Sequence, residues 1–318
     1  MTGSAWLDLP AEAIRAIGSY VASPDKRLYV GYLCTSAVLA LWVFRRTGRE
    51  GSFFRYLLHR GVWLSRSAKV DYQLVLFNSL FKAALIGQVA AYGLHIAFWT
   101  EEALRRWLGP TSLAMDGTTT VLIYTLVMTV IGDLSVYIVH RFMHRSKSLW
   151  ALHSVHHSAE TLSPVTLLRV HPLELVINTL RSLVVFGLLA GLFGYLSRHQ
   201  VTPVTLLGVN AVTFLFFASG ANLRHSHVQL AYWPGLEHLL ISPRQHQIHH
   251  SSAPEHHHRN FGSKFALWDW MFGTLETSRQ VRGPIHFGLG VDEGTHGSLW
   301  DALSRPLGSA LGRRSKRG

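Results

Sequence analysis

Five long apolar runs constrain the fold of this chain more than any other feature of its sequence. They cover residues 28–44, 74–99, 119–139, 173–196 and 203–219. A helix crosses the hydrocarbon core of a bilayer with about 17–25 predominantly apolar residues. Only 15% of the 318 residues are charged, below the quarter that is typical of soluble domains. The sequence therefore predicts an all-α integral membrane bundle of about four to five spans.

The distribution of basic residues orients the predicted spans. Segment 45–71 holds seven arginines and lysines, whereas segment 101–118 holds two arginines and three carboxylates. Because positively charged loops tend to stay in the cytoplasm, the first segment is predicted to be cytoplasmic and the second to lie on the opposite side. Counting spans from there places residues 140–157 and everything beyond 224 on the cytoplasmic side, with the link 197–202 on the other.

The chain is predicted to be one functional unit with three regions. Residues 1–139 would hold the first spans, 140–277 a histidine-rich region with a membrane hairpin (173–219) and a helical cytoplasmic cap, and 278–318 a basic tail. The net charge of +12 comes from clusters that flank apolar runs and form no continuous stripe. This pattern favours an anionic lipid surface as the neighbour and argues against nucleic acid as a partner.

Histidines are concentrated in the second half of the chain. Sixteen of the 20 lie between His140 and His258, and three clusters stand out: H-R-F-M-H from His140, H-S-V-H-H from His153, and Q-H-Q-I-H-H from Gln245. Residues three and four apart share a face of a helix, so each cluster is predicted to direct several imidazoles to one point. Eight imidazoles exceed the needs of one tetrahedral zinc, which favours a two-metal centre. The single cysteine, Cys34, excludes a thiolate cluster.

These motifs resemble the fatty acid hydroxylase superfamily, also called the sterol desaturase family, of integral-membrane histidine-box oxygenases. The resemblance covers residues 131–277. Besides H-R-F-M-H, it rests on L-W-A-L-H-S-V-H-H-S-A-E (149–160), R-V-H-P-L-E (169–174), S-P-R-Q-H-Q-I-H-H-S (242–251), and N-F-G followed by W-D-W-M-F-G-T (260–274). Family members often carry Asp two positions before the Asn of N-F-G, where this chain has His258.

The resemblance implies a non-haem di-iron centre that uses O₂. The ligands that it implies are His140, His144, His153, His156, His157, His225, His246, His249 and His250. Zinc is an alternative occupant of purified protein, because the Irving–Williams order favours zinc over iron. The sequence has no G-x-G-x-x-G after a strand and no C-x-x-C-H, so electrons are expected from a separate reductase.

Other residues near the clusters have less defined roles. His256 is a candidate additional ligand, and His257 and His258 are weaker ones; a solvated loop is the alternative. Asp133, His171, His227 and His258 are expected in supporting or substrate-contacting positions. A purely structural hydrogen bond is the alternative for Asp133, and shaping of the following helix start is the alternative for His171. Glu160 and Glu174 are weaker candidates, and Asp269 is expected to be structural. No site role is expected for five histidines outside the clusters, His59, His95, His199, His286 and His296.

The expected activity is hydroxylation of a C–H bond of a membrane lipid. A lipid desaturase on the same metal site is the closest alternative, and a histidine-rich metal transporter or sensor is an alternative of another class. A lipid substrate is expected to enter from the bilayer along a channel beside His140, with Gly132 and Ser135 at its inner end. The sequence does not indicate which lipid is the substrate.

Overall fold

The computed structural model describes residues 9–86, 89, 91–111, 115–197, 202–290 and 296–310. Helices dominate these residues, and their only strands, β1 (Thr205–Leu206) and β2 (Val209–Asn210), pair as an antiparallel hairpin. The α-helices are α1 (Leu9–Ala22), α2 (Val30–Arg46), α3 (Phe53–Leu57), α4 (Arg60–Trp63), α5 (Arg66–Phe81), α6 (Ala91–Leu108), α7 (Gly117–Arg145), α8 (Lys147–His157), α9 (Pro172–Ser197), α10 (Ala211–Ala218), α11 (Pro243–His249), α12 (Leu267–Met271) and α13 (Leu299–Ala310). The predicted helical class is confirmed.

Within the described ranges, two helices, α7 and α9, are long and apolar enough to cross a membrane. At about 1.5 Å per residue they extend for about 44 Å and about 39 Å, more than the roughly 30 Å of a hydrocarbon core. Asp116 begins α7 by accepting a hydrogen bond from the Thr119 amide. Large apolar side chains such as Leu126 and Leu188 point outward, 60% and 49% exposed. Such surfaces fit contact with lipid better than contact with water.

Helix α9 packs against both α6 and α7. Gly93 of α6 lies beside Leu183 and Phe186, and Glu101 beside Gly194, so α6 and α9 run parallel. The ring of Tyr124 in α7 contacts that of Phe193, with centroids 5.2 Å apart. Ser135 accepts a hydrogen bond from Arg181 at 2.8 Å, and so α7 runs antiparallel to α9. Gly187 and Gly191, four residues apart, let α6 approach α9 closely, as small residues do between membrane helices.

Two of the predicted spans are not single helices. The run 74–99 is divided among α5, a π-helical turn at Lys82–Ile86 and α6. The π-helical turn begins at Lys82, whose ammonium donates a hydrogen bond to the Tyr20 hydroxyl of α1 at 3.2 Å. In the described residues 202–219, the β-hairpin and α10 replace the predicted fifth span. An eight-residue helix is about 12 Å long and cannot cross a bilayer.

The predicted cap is built mainly from short helices and irregular segments held to α7. Both oxygens of the buried Asp133 accept hydrogen bonds from this region, from the amides of Lys264 and Phe265 and from the indole of Trp268. Residues 299–310, predicted as part of a basic tail, instead form α13, which packs against α8 and α5. Its apolar residues Leu299, Ala302 and Leu303 recur at helical spacing and cover Val155 of α8.

Candidate metal centre

The end of α7 and all of α8 supply the first two histidine clusters. His140 and His144 lie one turn apart in the last turns of α7. After the extended Ser146, helix α8 carries His153, His156 and His157, all buried. Spacings of three and four residues place these rings on neighbouring faces of α8.

The third cluster lies on α11, whose start is defined by local sequence. Ser242 and Gln245 form a reciprocal capping box, and Pro243 occupies the first turn. The helix that follows carries His246 and His249, and His250 ends it. His225 comes from the 3₁₀ helix Ala221–His225, which begins after Gly220 in a left-handed conformation with φ of 93°.

The nine predicted ligands, and only these among the described histidines, assemble into two groups. Within each group the candidate ligand atoms lie within 4.8 Å of one another. Group A contains His140, His144, His153, His157 and His249, and group B contains His156, His225, His246 and His250. The groups are adjacent, because the His157 ring stacks on that of His250 with centroids 4.5 Å apart. The prediction that each cluster faces one point is wrong for the second and third clusters, which divide between the two groups.

Hydrogen bonds at the outer nitrogens orient several of these rings. Nδ1 of His140, His156 and His249 donates to the backbone carbonyls of Phe261, Arg169 and Arg259 at 2.8, 3.2 and 2.8 Å. Nδ1 of His153 faces the carboxylate of Glu174 at 3.0 Å. An Nδ1–H that donates outward leaves the Nε2 lone pair free to face the centre, as in histidine ligands of metals.

Burial keeps six imidazoles outside the long helices neutral by lowering their pKa. It lowers the pKa of His156 to about 4, and neighbouring histidines contribute to that shift. Burial likewise lowers the pKa of His157, His225, His246, His249 and His250 well below the ordinary value. Neutral imidazole is the form that binds metal, so these groups need lose no proton to become ligands at neutral pH.

The donor atoms present fit metal ions. Nε2 of His144, His157 and His249 is buried without a hydrogen-bond partner. A buried nitrogen without a partner costs free energy unless another group, such as a metal ion, binds it. In group B the Nε2 atom of His225 lies 3.1–3.2 Å from those of His156, His246 and His250. Ligand nitrogens about 2.1 Å from one tetrahedral metal would be about 3.4 Å apart, so these spacings match the edges of a coordination shell.

Comparison with known proteins assigns this region to a family. Residues 125–274, which contain both groups, match the family model described as fatty acid hydroxylase. This part of the chain is therefore similar to a fatty acid hydroxylase domain. No solved structure matches the chain.

Three relatives illustrate the range of similar proteins. The chain is 26% identical to ornithine lipid hydroxylase OlsE of Rhizobium tropici over 77% of its length and 66% of the relative's. It is 30% identical to alkylglycerol monooxygenase of Danio rerio over 48% of its length, and 28% identical to a Delta(7)-sterol-C5(6)-desaturase of Nicotiana tabacum over 48%. The matched segments span only 31% and 49% of these two relatives.

Several residues with less certain predicted roles lie outside both groups of the hydroxylase domain. Nδ1 of His256 is 2.8 Å from the Ser251 hydroxyl, and the His258 ring is 6.3 Å from that of His144. His171 accepts the Leu173 amide at the start of α9, which is the helix-start role that was one of its alternatives. His227 packs edge-on against Tyr56. Asp133 contacts the cap as described above, and contacts no ligand of either group.

The structure reveals two supporting residues that the sequence did not single out. Arg169 is 1% exposed and donates to the carbonyls of Val155, Ser67 and His296 and to Ser158. It also pairs with the buried Asp71 of α5 at 2.9 Å. Arg169 thereby fixes the end of α8 that carries His156 and His157. A buried charge is tolerated only with such partners. The sequence alone does not show which residue pairs with Asp71.

Two cavities reach the metal groups from different sides. The membrane-side cavity, of about 160 Å³, is lined by Val136 and Met143 of α7, Asn178 of α9 and histidines of both groups. The cap-side cavity, of about 270 Å³, is lined by His144, His157, His249 and the cap residues His257 and His258. Gly132 and Ser135, expected at the end of a substrate channel, line neither cavity.

Proposed function

We propose that this chain is a membrane-bound non-haem di-iron oxygenase that hydroxylates a C–H bond of a lipid. The observation that carries the proposal is the pair of adjacent groups of five and four imidazoles, seven of them buried and two half-buried, located where α7 ends and α9 begins. Imidazole ligation without thiolates suits iron, zinc, copper or nickel, and iron, unlike zinc, is redox-active and can serve an oxygenase. The relatives named for hydroxylation of ornithine lipid and of alkylglycerol support a lipid substrate.

The imidazole groups, their hydrogen-bond partners and the membrane-side cavity would have separate roles. Two iron ions held by groups A and B would supply the activation of O₂. Glu174 and the carbonyls behind the rings hold the imidazoles in place, as the outer partners of metal ligands do. The membrane-side cavity admits a lipid carbon to the face formed by His140, His153, His156, His225 and His246. The chain's own residues include no second redox group of known signature, so electrons would come from a separate reductase.

The proposal includes an arrangement in the membrane. Helices α6, α7 and α9 would cross the bilayer, and the β-hairpin and α10 together would bring the chain back beside α7. Helix α2, with 17 residues, would be a further span or a half-buried one. The metal groups, the segment 45–71 and the cap would lie on the cytoplasmic side. The predicted regions 1–139, 140–277 and 278–318 would act as one unit, with α13 of the last region supporting α8.

Desaturation of a lipid is the second candidate function, favoured by the similarity to a sterol C5(6)-desaturase. Both reactions use the same metals and differ in whether a second hydrogen is removed. A metal transporter is disfavoured by position. Transport sites lie near the bilayer midplane, whereas His140 lies about 34 Å along α7 from Gly117, near its end.

Mass spectrometry of lipids tests the function directly. Purified protein in lipid nanodiscs, loaded with iron and supplied with a reductase, O₂ and a total lipid extract, should yield lipids heavier by one oxygen atom. Products lacking two hydrogens would instead establish desaturation. Metal uptake by vesicles without any lipid product would contradict both reactions and support the transporter.

Single ligand substitutions test the site. His249→Ala in group A and His156→Ala in group B should each abolish product formation and lower the iron content, because each removes a ligand from one metal. His286→Ala provides a matched control, since His286 is exposed and belongs to neither group. Full activity of either ligand variant would overturn the assignment.

A further inference from the structure

The membrane-side cavity contains two arginines that the metal centre does not explain. Arg27, just before α2, and Arg224, next to His225, both line it together with histidines of both groups. Neither residue is needed as a metal ligand, because guanidinium groups remain protonated and donate only. Their presence at this position therefore needs another cause.

Arg224 is a buried cation with few partners. It is 2% exposed, and one terminal nitrogen donates to the Ile241 carbonyl at 3.1 Å. Its guanidinium lies over the Phe216 ring, 4.6 Å from the centroid, and its Nε is buried without a hydrogen-bond partner. Its ring contact and single carbonyl bond orient the guanidinium without neutralising its charge.

Arg27, on a different segment, is half-buried and has similarly few partners. One terminal nitrogen donates to the Ala221 carbonyl at 3.1 Å, the guanidinium approaches Phe217, and the buried Nε has no partner. Among the ion pairs of the described residues, none includes Arg27 or Arg224. The carboxylate of Asp133 is already engaged, with Lys264 at 3.7 Å and three cap donors.

Two desolvated guanidinium groups at one cavity, neither of them in an ion pair, are unfavourable unless an anion joins them. Glu174 lines the same cavity, but its carboxylate bonds to His153. A buried charge costs several kcal/mol when it is unpaired. Arginine also binds carboxylate and phosphate oxygens through its planar fork of donors. Arg169, by contrast, has its counter-ion within the protein, the carboxylate of Asp71.

We propose that Arg27 and Arg224 bind the anionic headgroup, a carboxylate or phosphate, of the lipid substrate. The inference rests on the proposed function and deepens it by naming the substrate class. Because the same small cavity is lined by the arginines and by the histidines, the oxidised carbon should lie near the headgroup and not near the far end of an acyl chain.

Binding of a matched lipid series tests the proposal without requiring catalysis. Four probes share one hexadecyl or palmitoyl chain and differ in headgroup: palmitate, hexadecyl phosphate, hexadecanol and hexadecyltrimethylammonium. The number of lipids bound per chain is measured by native mass spectrometry after release of the protein from a neutral detergent. The measurement is made on metal-free and on metal-loaded protein. Palmitate or hexadecyl phosphate should bind one per chain and at least about tenfold more tightly than the alcohol or the ammonium lipid.

Charge-removing variants connect the preference to the two arginines. Arg224→Gln and Arg27→Gln should each reduce the preference for the anionic probes about tenfold or more, and Arg224→Lys should retain part of it. Arg244→Gln is the matched control. Arg244 is also buried, donates to one carbonyl and has an unpartnered nitrogen, but it does not line the cavity. An unchanged preference in both Gln variants would overturn the proposal.

Further outcomes separate this inference from its alternatives. Equal binding of hexadecanol and the anionic lipids by the unmodified chain would overturn it without use of any variant. Inorganic phosphate that bound as tightly as hexadecyl phosphate would identify a small-anion site and overturn the headgroup assignment. Because metal-free protein also reports the preference, a loss of oxygenase activity and a loss of anion binding are measured separately.

Discussion

Glu174 is the only carboxylate among the described residues that contacts a histidine of either group. It is buried, and its oxygen accepts from Nδ1 of His153. Removing the partner behind a metal ligand typically lowers metal affinity by about 10–100-fold. Glu174→Gln should therefore weaken metal binding in group A by about tenfold or more, as measured by titration against a chelator. Glu160→Gln, at an exposed glutamate, is the control; equal affinities in both variants would contradict the role of Glu174.

His296 is a second residue whose environment has a measurable consequence. Burial lowers the pKa of His296 to about 4, and Arg169, whose guanidinium donates to the His296 carbonyl, contributes. The unfolded chain, with an ordinary pKa near 6.5, binds this proton more readily than the folded one. The stability that neutral His296 contributes is therefore complete above about pH 6.5 and is lost as the pH falls toward 4.

At about pH 5 this loss amounts to about 2 kcal/mol. His296→Gln should abolish this loss of stability at low pH. The midpoint of thermal unfolding should therefore fall less between about pH 7.5 and about pH 5 in the variant than in the unmodified chain. Other buried histidines respond to acid in both proteins and do not affect the difference. The same substitution at the exposed His286 should change nothing; equal acid sensitivity of all three proteins would refute the linkage.

At the level of helices, the close approach of α6 and α9 depends on Gly191 and Gly187. A Cβ atom at Gly191 would meet the Ala97 carbonyl and lie 2.6 Å from Cβ of Thr100. Gly191→Ala should therefore destabilise the packed pair by about 1–3 kcal/mol through overpacking. Gly132→Ala in α7 is the matched control, because a Cβ there meets nothing within 4 Å and alanine favours a helix. Thermal stability in detergent should fall for the first variant and not for the second.

The sequence predicted these elements unevenly, for physical reasons. Apolar runs predicted the helical class and located α7 and α9, since length and composition alone decide whether a helix suits a bilayer. They could not show that 203–219 returns as a hairpin and a short helix, because apolar composition is the same in both cases. Helical spacing singled out the eight histidines of the three clusters, and the family resemblance added His225. It could not predict how His156 separates from His153 and His157, which depends on where α11 packs.

The molecule as a whole has two chemically different ends. The metal groups, Arg141 and Arg145 of α7, and the basic segment 45–69 belong to one end; Tyr56 of that segment packs on His227. At the other end the described residues 109–111 and 115–118 contain no arginine or lysine. Arg105 and Arg106 nearby are each paired with a glutamate one turn earlier. This asymmetry of unpaired positive charge predicts that the metal-bearing end faces the cytoplasm.

Cysteine labelling in intact cells checks that orientation. The single native cysteine, Cys34, is exposed, so Cys34→Ser first gives a background without reactive thiols. Glu255→Cys in the cap and Thr118→Cys at the start of α7 are then tested separately, since both positions are exposed. A membrane-impermeant maleimide should label position 118 from outside and reach position 255 only after permeabilisation. Labelling of both from the same side would show that α7 does not cross the membrane, and the reverse pattern would place the metal groups outside.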